Sequence, residues 1–153
     1  MITKNQIHLA QKNWGDGIVK IGSLRNKIQE CVDFTSSFLN NMYNFKNGEV
    51  LFKPTKASQE QFRPTFEMAL SYFIGGDNSF CSEDMGFAMK PWLNVRFENS
   101  GYILEENRAL VMGNYFFTDQ DKNIVKVEYT FGYIFTNGRL LINLHHSSLP
   151  FSL

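Results

Sequence analysis

The chain has 153 residues, of which 43% are hydrophobic, and its fifteen basic residues balance its fifteen acidic ones. This length and apolar content predict one domain, residues 1–153, that is large enough to bury a core. The balanced charge, without runs of one sign, argues against nucleic acid or an anionic membrane as a partner. The first residues lack the basic and apolar regions of a signal peptide. We therefore expect a cytoplasmic protein, or a periplasmic or exported one if a leader has been removed.

The first half of the chain shows helical periodicity. A first helix is predicted from apolar residues three or four positions apart, Ile7, Ala10, Trp14, Ile18 and Ile21. A second helix is predicted over residues 26–43. After an Asn47-Gly48 turn and a short strand over residues 49–52, a third helix is predicted from Pro64 to the glycine pair 75–76. We interpret these helices as cover for the core.

The second half alternates with the period of β-strands. Strands are predicted over residues 91–99, 108–118 and 124–135, and the turn at residues 136–138 leads into a last strand. Helices followed by an antiparallel meander predict an α+β fold.

The glycines of the predicted strands, Gly113 and Gly132, permit bends, so we expect a curled sheet closed by the N-terminal helices into a cone. Tyr115, Phe117 and Tyr133 are predicted to lie on its outer face. An apolar outer face predicts a homo-oligomer, either a dimer or a larger assembly.

Polar residues that could line a pocket are concentrated at the end of the last strand. Alternation places Ile142, Leu144, His146 and Ser148 on one face, and Leu141, Asn143, His145 and Ser147 on the other. The first face is more apolar, so we predict that it faces the core and that His146 and Ser148 form a pocket floor. The alternative is an edge strand whose imidazoles and hydroxyls meet solvent. A single bulge would exchange Ser147 for Ser148.

Motifs for metal and cofactor chemistry are missing. His145 and His146 are neighbours that point to opposite faces, and the third histidine, His8, lies in the first helix, so no three-histidine zinc site is predicted. The sequence contains no GxSxG elbow and no phosphate-binding glycine loop. Taken alone, Thr55 fits a turn or a helix cap, and Tyr72 fits a core tyrosine with one hydrogen bond. We expect a pocket of His, Ser, Thr and Tyr groups that requires no cofactor.

Several segments together resemble the iota class of carbonic anhydrases. These segments are residues 50–57, 71–76, 83–88 with 91–92, 112–115, 127–133 and the HHSSLP sequence at 145–150. The resemblance covers almost the whole chain in order. It implies the cone-shaped, SnoaL-like or nuclear-transport-factor-like fold of the calcium/calmodulin-dependent kinase II association domain. It also implies a lyase that reversibly hydrates carbon dioxide to bicarbonate without a metal.

The resemblance also implies site residues. The threonine of the family's PT turn corresponds to Thr55, the tyrosine of its SYF segment to Tyr72, and a serine of HHSS to Ser148. His146 shares the face of Ser148 by strand alternation and is the expected base or orienting group. His145 and Ser147 are expected to help bind the substrate.

Two alternatives remain open. The same fold serves as a non-catalytic oligomerisation module, which an apolar outer face and an idle pocket would fit. It also hosts small-molecule isomerases and hydrolases, which need a carboxylate base, and here only Glu98 and Glu128 are available, at uncertain positions.

Overall fold

The computed structural model describes residues 1–153 as three helices and five strands in one sheet. In chain order the elements are α1 (Lys4–Ser23), α2 (Ile28–Met42), β1 (Leu51–Lys53), α3 (Phe66–Ile74), β2 (Asn94–Leu104), β3 (Arg108–Thr118), β4 (Ile124–Thr136) and β5 (Arg139–Ser148). The strand order is β1-β5-β4-β3-β2, with β2 to β5 antiparallel and β1 parallel to β5. The predicted α+β class and the order of helices and meander are confirmed.

The helices begin and end where local chemistry requires. Thr3 and Gln6 form a capping box at the start of α1, and Thr65 caps α3 by accepting a hydrogen bond from the Met68 amide. Helix α3 ends at Gly75, whose φ of 54° lies in the left-handed region that favours glycine. None of the three helices is both long enough and apolar enough to cross a membrane.

Two irregularities bend the sheet, each beside a glycine. In β2 the register with β3 shifts between Asn99 and Gly101, opposite Gly113. In β4 the register with β5 shifts after Gly132, which pairs with Leu144, whereas the next residue of β4 pairs with Ile142. A Cβ on Gly132 would lie 2.8 Å from the Cβ of Leu144, so the close approach of the strands requires glycine. The prediction that these glycines permit bends is confirmed.

The concave face of the sheet carries the aromatic core. Trp14 of α1 lies near its centre, with ring centroids of Tyr115, Phe131 and His145 at 5.5, 5.7 and 5.7 Å. The prediction that Tyr115, Phe117 and Tyr133 lie on the outer face was wrong, because all three are buried. They share the inward rows of β3 and β4 beneath the helices. The exposed apolar side chains of the outer face are instead Ile103, Met112 and Ile124.

A buried ion pair fixes the loops around α3. Arg63 is 0% exposed and binds both carboxylate oxygens of Asp84, at 2.7 and 2.8 Å. The neighbouring Glu83 carboxylate accepts three backbone N–H bonds from residues 58–60, and these lower its pKa to about 2. The segment that follows β1 is thereby held against the loop that follows α3.

Candidate active site

The end of β5 presents a different face to the interior from the one that simple alternation predicts. His145 and Ser147 are each 2% exposed, whereas His146 is exposed and Ser148 is half-buried. The cause is the register shift after Gly132, which leaves Asn143 as an extra residue in β5. Ile142 therefore points inward as predicted, but beyond it the two faces are exchanged. The prediction that His146 and Ser148 face the interior was wrong.

Thr55 and Ser147 form the closest hydroxyl pair of the site. Their side-chain oxygens lie 2.8 Å apart, and either can donate. The parallel pairing of β1 with β5 causes this, because Lys53 is opposite His146 and the chain then passes beside Ser147. The Lys53 ammonium donates to the Ser147 carbonyl oxygen at 3.0 Å, which ties the two segments together.

Two phenols complete the hydroxyl cluster. Tyr72, on α3, is buried beside the stacked ring of Phe87, and its hydroxyl accepts a hydrogen bond of 3.3 Å from the Lys56 amide. Tyr115 comes from the inward row of β3. Burial raises the pKa of both phenols. All four hydroxyl groups are therefore neutral at physiological pH.

His145 is held as a neutral imidazole beneath this cluster. Its Nδ1 lies 2.8 Å from the Tyr43 hydroxyl, and its Nε2 lies 3.1 Å from the Tyr115 hydroxyl. Its ring stacks on Phe52 with centroids 4.7 Å apart. Burial lowers the pKa of His145 well below its usual value, and the electrostatic effect of the neighbouring His146 lowers it further.

Tyr72 links the cluster to an open pocket of about 330 Å³, whose lining includes Lys56, Phe87, Lys90 and Trp92. Neutral hydroxyls can donate hydrogen bonds to a small oxyanion or to a molecule that becomes one during a reaction. No group of three or more His, Cys, Asp and Glu side chains is positioned to bind a metal ion.

The structure brings together four of the six sequence-predicted site residues: Thr55, Tyr72, His145 and Ser147. His146 and Ser148 lie on the outer face, where the Ser148 hydroxyl is 3.4 Å from the Glu128 carboxylate. Glu128 and Glu98, considered as carboxylate bases, are exposed on that face as well.

Sequence reasoning missed three residues that contact the site, Trp14, Tyr43 and Tyr115. Trp14 and Tyr43 were placed in helices interpreted only as core cover. Tyr115 was placed outside because the parity of β3 was assigned without a reference. Tyr115 has the same strand parity as the apolar residues Val111 and Phe117, and this shared row is the signal that could have placed it inside.

Comparison with known proteins shows the family of this chain. Residues 5–149 match the family model described as metal-independent carbonic anhydrase. The chain is 36% identical over 154 residues to the metal-independent carbonic anhydrase of Nostoc sp. strain PCC 7120, covering 98% of this chain and 75% of the relative.

Solved structures agree with the sequence comparison. The chain matches a cyanobacterial iota-carbonic anhydrase crystallised with bicarbonate at a TM-score of 0.93 and 35% identity, covering 99% of this chain and 94% of that one. A calcium/calmodulin-dependent kinase II association domain from Xanthomonas campestris matches at 0.68 and 19% identity, covering 100% and 91%, and supports the fold alone. A dehydratase-like protein of the NTF2-like family from Streptomyces avermitilis, at 0.60 and 13%, covering 97% and 96%, supports the predicted cone fold. The chain is therefore a member of the metal-independent carbonic anhydrase family.

Proposed function

We propose that this carbonic anhydrase reversibly hydrates carbon dioxide to bicarbonate at the cluster of Thr55, Tyr72 and Ser147. The observation that carries the proposal is the pair of hydroxyls 2.8 Å apart, contributed by segments 92 positions apart in the chain, beside a buried phenol. The bicarbonate bound to the cyanobacterial relative supports the same ligand for this chain.

Carbon dioxide hydration at this site depends more on hydrogen-bond donors than on a general base. When water attacks the carbon of carbon dioxide, negative charge develops on the two oxygens that become the carboxylate of bicarbonate. Hydroxyls positioned to donate to those oxygens stabilise the charge, and they do so more strongly in a site lined by rings than in water. Loss of one such donor typically costs about 10²-fold to 10³-fold in kcat.

The earlier expectation that His146 takes the proton from water does not fit its position on the outer face. His145 does not replace it, because both of its ring nitrogens contact tyrosine hydroxyls. We assign the proton of the attacking water to a solvent base, either buffer or hydroxide. The rate should then rise with pH without an inflection from a pocket imidazole.

Stopped-flow carbon dioxide hydration by chelator-treated protein tests the proposal, with metal content checked. We expect the activity to survive chelation and to fall about 10²-fold in Ser147→Ala. Ser148→Ala is the matched control, because it removes the neighbouring hydroxyl from the outer face, and its rate should stay within about twofold. Loss of activity on chelation, or equal effects of the two variants, would contradict the proposed site.

We propose in addition that two copies pair through the outer face of the sheet. This face exposes Ile103, Met112 and Ile124 at 58%, 55% and 62%. Its charged residues include both signs, as in Lys126 and Glu128 of β4, so a second copy can match them. Light scattering should give a dimer for the wild type and a monomer for Met112→Glu, and a monomeric wild type would contradict this proposal.

A further inference from the structure

A chain of hydrogen bonds with one direction runs from α1 toward the hydroxyl cluster. It starts at Trp14, because an indole N–H can only donate. The Trp14 Nε1 donates to the Tyr43 hydroxyl oxygen at 3.0 Å. The other hydrogen-bond contact of that hydroxyl is Nδ1 of His145 at 2.8 Å, so the Tyr43 proton is donated to Nδ1.

The tautomer of His145 follows from this direction. A neutral imidazole carries one N–H, and Nδ1 is used as an acceptor, so the proton is on Nε2. The Nε2–H then donates to the Tyr115 hydroxyl oxygen at 3.1 Å. The ring stays neutral because it is 2% exposed and lies between Phe52 and Phe131, with centroids at 4.7 and 4.5 Å.

The Tyr115 hydroxyl proton is free to be donated toward the hydroxyl cluster. Its oxygen already accepts from His145, so its O–H turns toward other acceptors. Ser147 follows His145 by two residues on the same inward row of β5, so the hydroxyl pair that it forms with Thr55 is the neighbouring polar group toward which this O–H can turn. Each bond in such a chain polarises the next, which makes the last hydroxyl a stronger donor than an isolated phenol.

We propose that Trp14, Tyr43 and His145 form a donor chain that aims the Tyr115 proton at the reacting carbon dioxide. Tyr115 is then a further hydrogen-bond donor to the substrate, and His145 is a positioning residue that does not accept a proton. This inference rests on the proposed function for the location of the substrate. No member of the chain changes its protonation state during turnover.

Nitrogen-15 NMR of the histidine side chains of the whole protein tests the chain without any activity measurement. At neutral pH, we expect one histidine to show an unprotonated Nδ1 and a protonated Nε2, with the His145→Gln spectrum assigning it. Titration toward pH 5 should leave that ring neutral. A protonated Nδ1 in His145, or a mixture of tautomers, would overturn the inference.

Kinetics with two buried tyrosines test the role of Tyr115. Tyr115→Phe removes the terminal donor and should lower kcat about 10²-fold. Tyr129→Phe is the matched control, since its ring lies 5.1 Å from that of Tyr115 but its hydroxyl bonds to Gln11 and Asn99. Its kcat should stay within about twofold when measured on folded protein. Equal rates for Tyr115→Phe and wild type would overturn the assignment.

Tyr43→Phe tests transmission along the chain, because Tyr43 is remote from the substrate. We expect it to mix the two tautomers of His145 and to lower kcat by less than Tyr115→Phe does. A merely structural tyrosine would leave the tautomer unchanged. If this variant does not fold, the wild-type spectrum still decides.

The two proposals fail in different ways. A folded, chelator-treated wild type without carbon dioxide hydration would contradict the proposed function, whereas the NMR spectrum would still report the direction of the chain. An active wild type with an unaffected Tyr115→Phe variant would leave the function in place and remove the donor role.

Discussion

Two buried polar networks lie side by side on the concave face of the sheet, and they differ in whether their hydrogen bonds close on themselves. In the first, the Gln11 amide donates to Asn99 and to Tyr129 at 2.9 and 2.8 Å, and the Asn99 amide donates back at 2.8 Å. Tyr102 extends this amide network to His8 on the surface. The second is the hydroxyl cluster of Thr55, Tyr72, Tyr115 and Ser147.

Amides have donors and acceptors at fixed positions, so the amide network satisfies itself and stabilises the bulge of β2 at Asn99. Hydroxyl protons rotate, so the hydroxyl cluster can redirect its donors to a ligand. Helix α1 contributes Gln11 to the amide network and, one turn later, Trp14 to the hydrogen-bond chain that leads to the hydroxyl cluster. Buried polar groups that satisfy one another's hydrogen bonds stabilise the fold. Buried hydroxyls whose protons can rotate are instead able to donate to a ligand. We therefore expect substitutions in the amide network to change stability and substitutions in the hydroxyl cluster to change activity.

The largest effect is expected in the amide network. Gln11→Leu removes the three hydrogen bonds that Gln11 makes with the Asn99 amide and the Tyr129 hydroxyl, so the free energy of unfolding should fall by about 3 kcal/mol. Urea unfolding measures it, and kcat of the folded variant should stay within about threefold. Gln29→Leu, an exposed glutamine of α2, is the control and should change stability by less than about 0.5 kcal/mol. A large loss of kcat in Gln11→Leu would contradict the expectation that the amide network affects stability without affecting activity.

The hydroxyl cluster should show the reverse behaviour. Thr55→Val keeps the shape of the side chain but removes the partner of Ser147, and kcat should fall about 10²-fold, which corresponds to about 2.7 kcal/mol. Stability should change by no more than about 1 kcal/mol. The control is Thr35→Val, whose buried hydroxyl donates to the carbonyl oxygen of Cys31 within α2. That variant should keep its kcat, and a loss there equal to that of Thr55→Val would remove the distinction.

The pH dependence of stability should report the neutral state of His145. Its pKa is lowered on folding, so between the folded value and about 6.5 the unfolded chain binds more protons. Stability therefore falls as pH decreases below 6.5, by at most about 1.4 kcal/mol per pH unit. The doubly substituted His8→Gln, His146→Gln protein isolates His145 and should keep this slope between pH 6.5 and 5. A flat profile there would contradict the neutral imidazole. The contribution of Glu83, whose pKa is about 2, is lost only at lower pH, from about 4.5 downward.

The smallest effect is expected at Tyr133, which belongs to neither network. Its buried hydroxyl has no hydrogen-bond partner. Tyr133→Phe should therefore raise the free energy of unfolding by about 0.5 to 1 kcal/mol, because it removes an unsatisfied polar group. Thermal or urea unfolding measures the change, and Tyr129→Phe should shift it in the opposite direction. A loss of stability at Tyr133 would mean that its hydroxyl is satisfied.

Local patterns predicted the elements of this fold well, and the reason is physical. The apolar spacing of α1, the Asn137-Gly138 turn and the alternation of β3 depend on neighbouring residues, which the sequence displays. The faces of β5 depended on one extra residue, Asn143, whose unpaired position is decided by the partner strand at Gly132. A sequence shows a glycine that permits a bulge but not which strand takes the extra residue.

The residues of the candidate site were predicted only in part for the same reason. Thr55 and Tyr72 were identified through the resemblance to the family and not through the residues alone, since a turn threonine and a core tyrosine explain them equally well. The donor chain escaped prediction because Trp14, Tyr43 and His145 come from α1, from the end of α2 and from β5. Only the packed structure brings these three side chains together.

The bond between Thr55 and Ser147 joins residues separated by 92 positions in the chain. Such a contact forms only after the intervening helix and three strands have folded, because closing so long a loop costs entropy that the hydrogen bond alone does not recover. During refolding, catalytic activity should therefore return no earlier than the slowest structural signal. Recovery of carbon dioxide hydration should thus report completion of the whole domain.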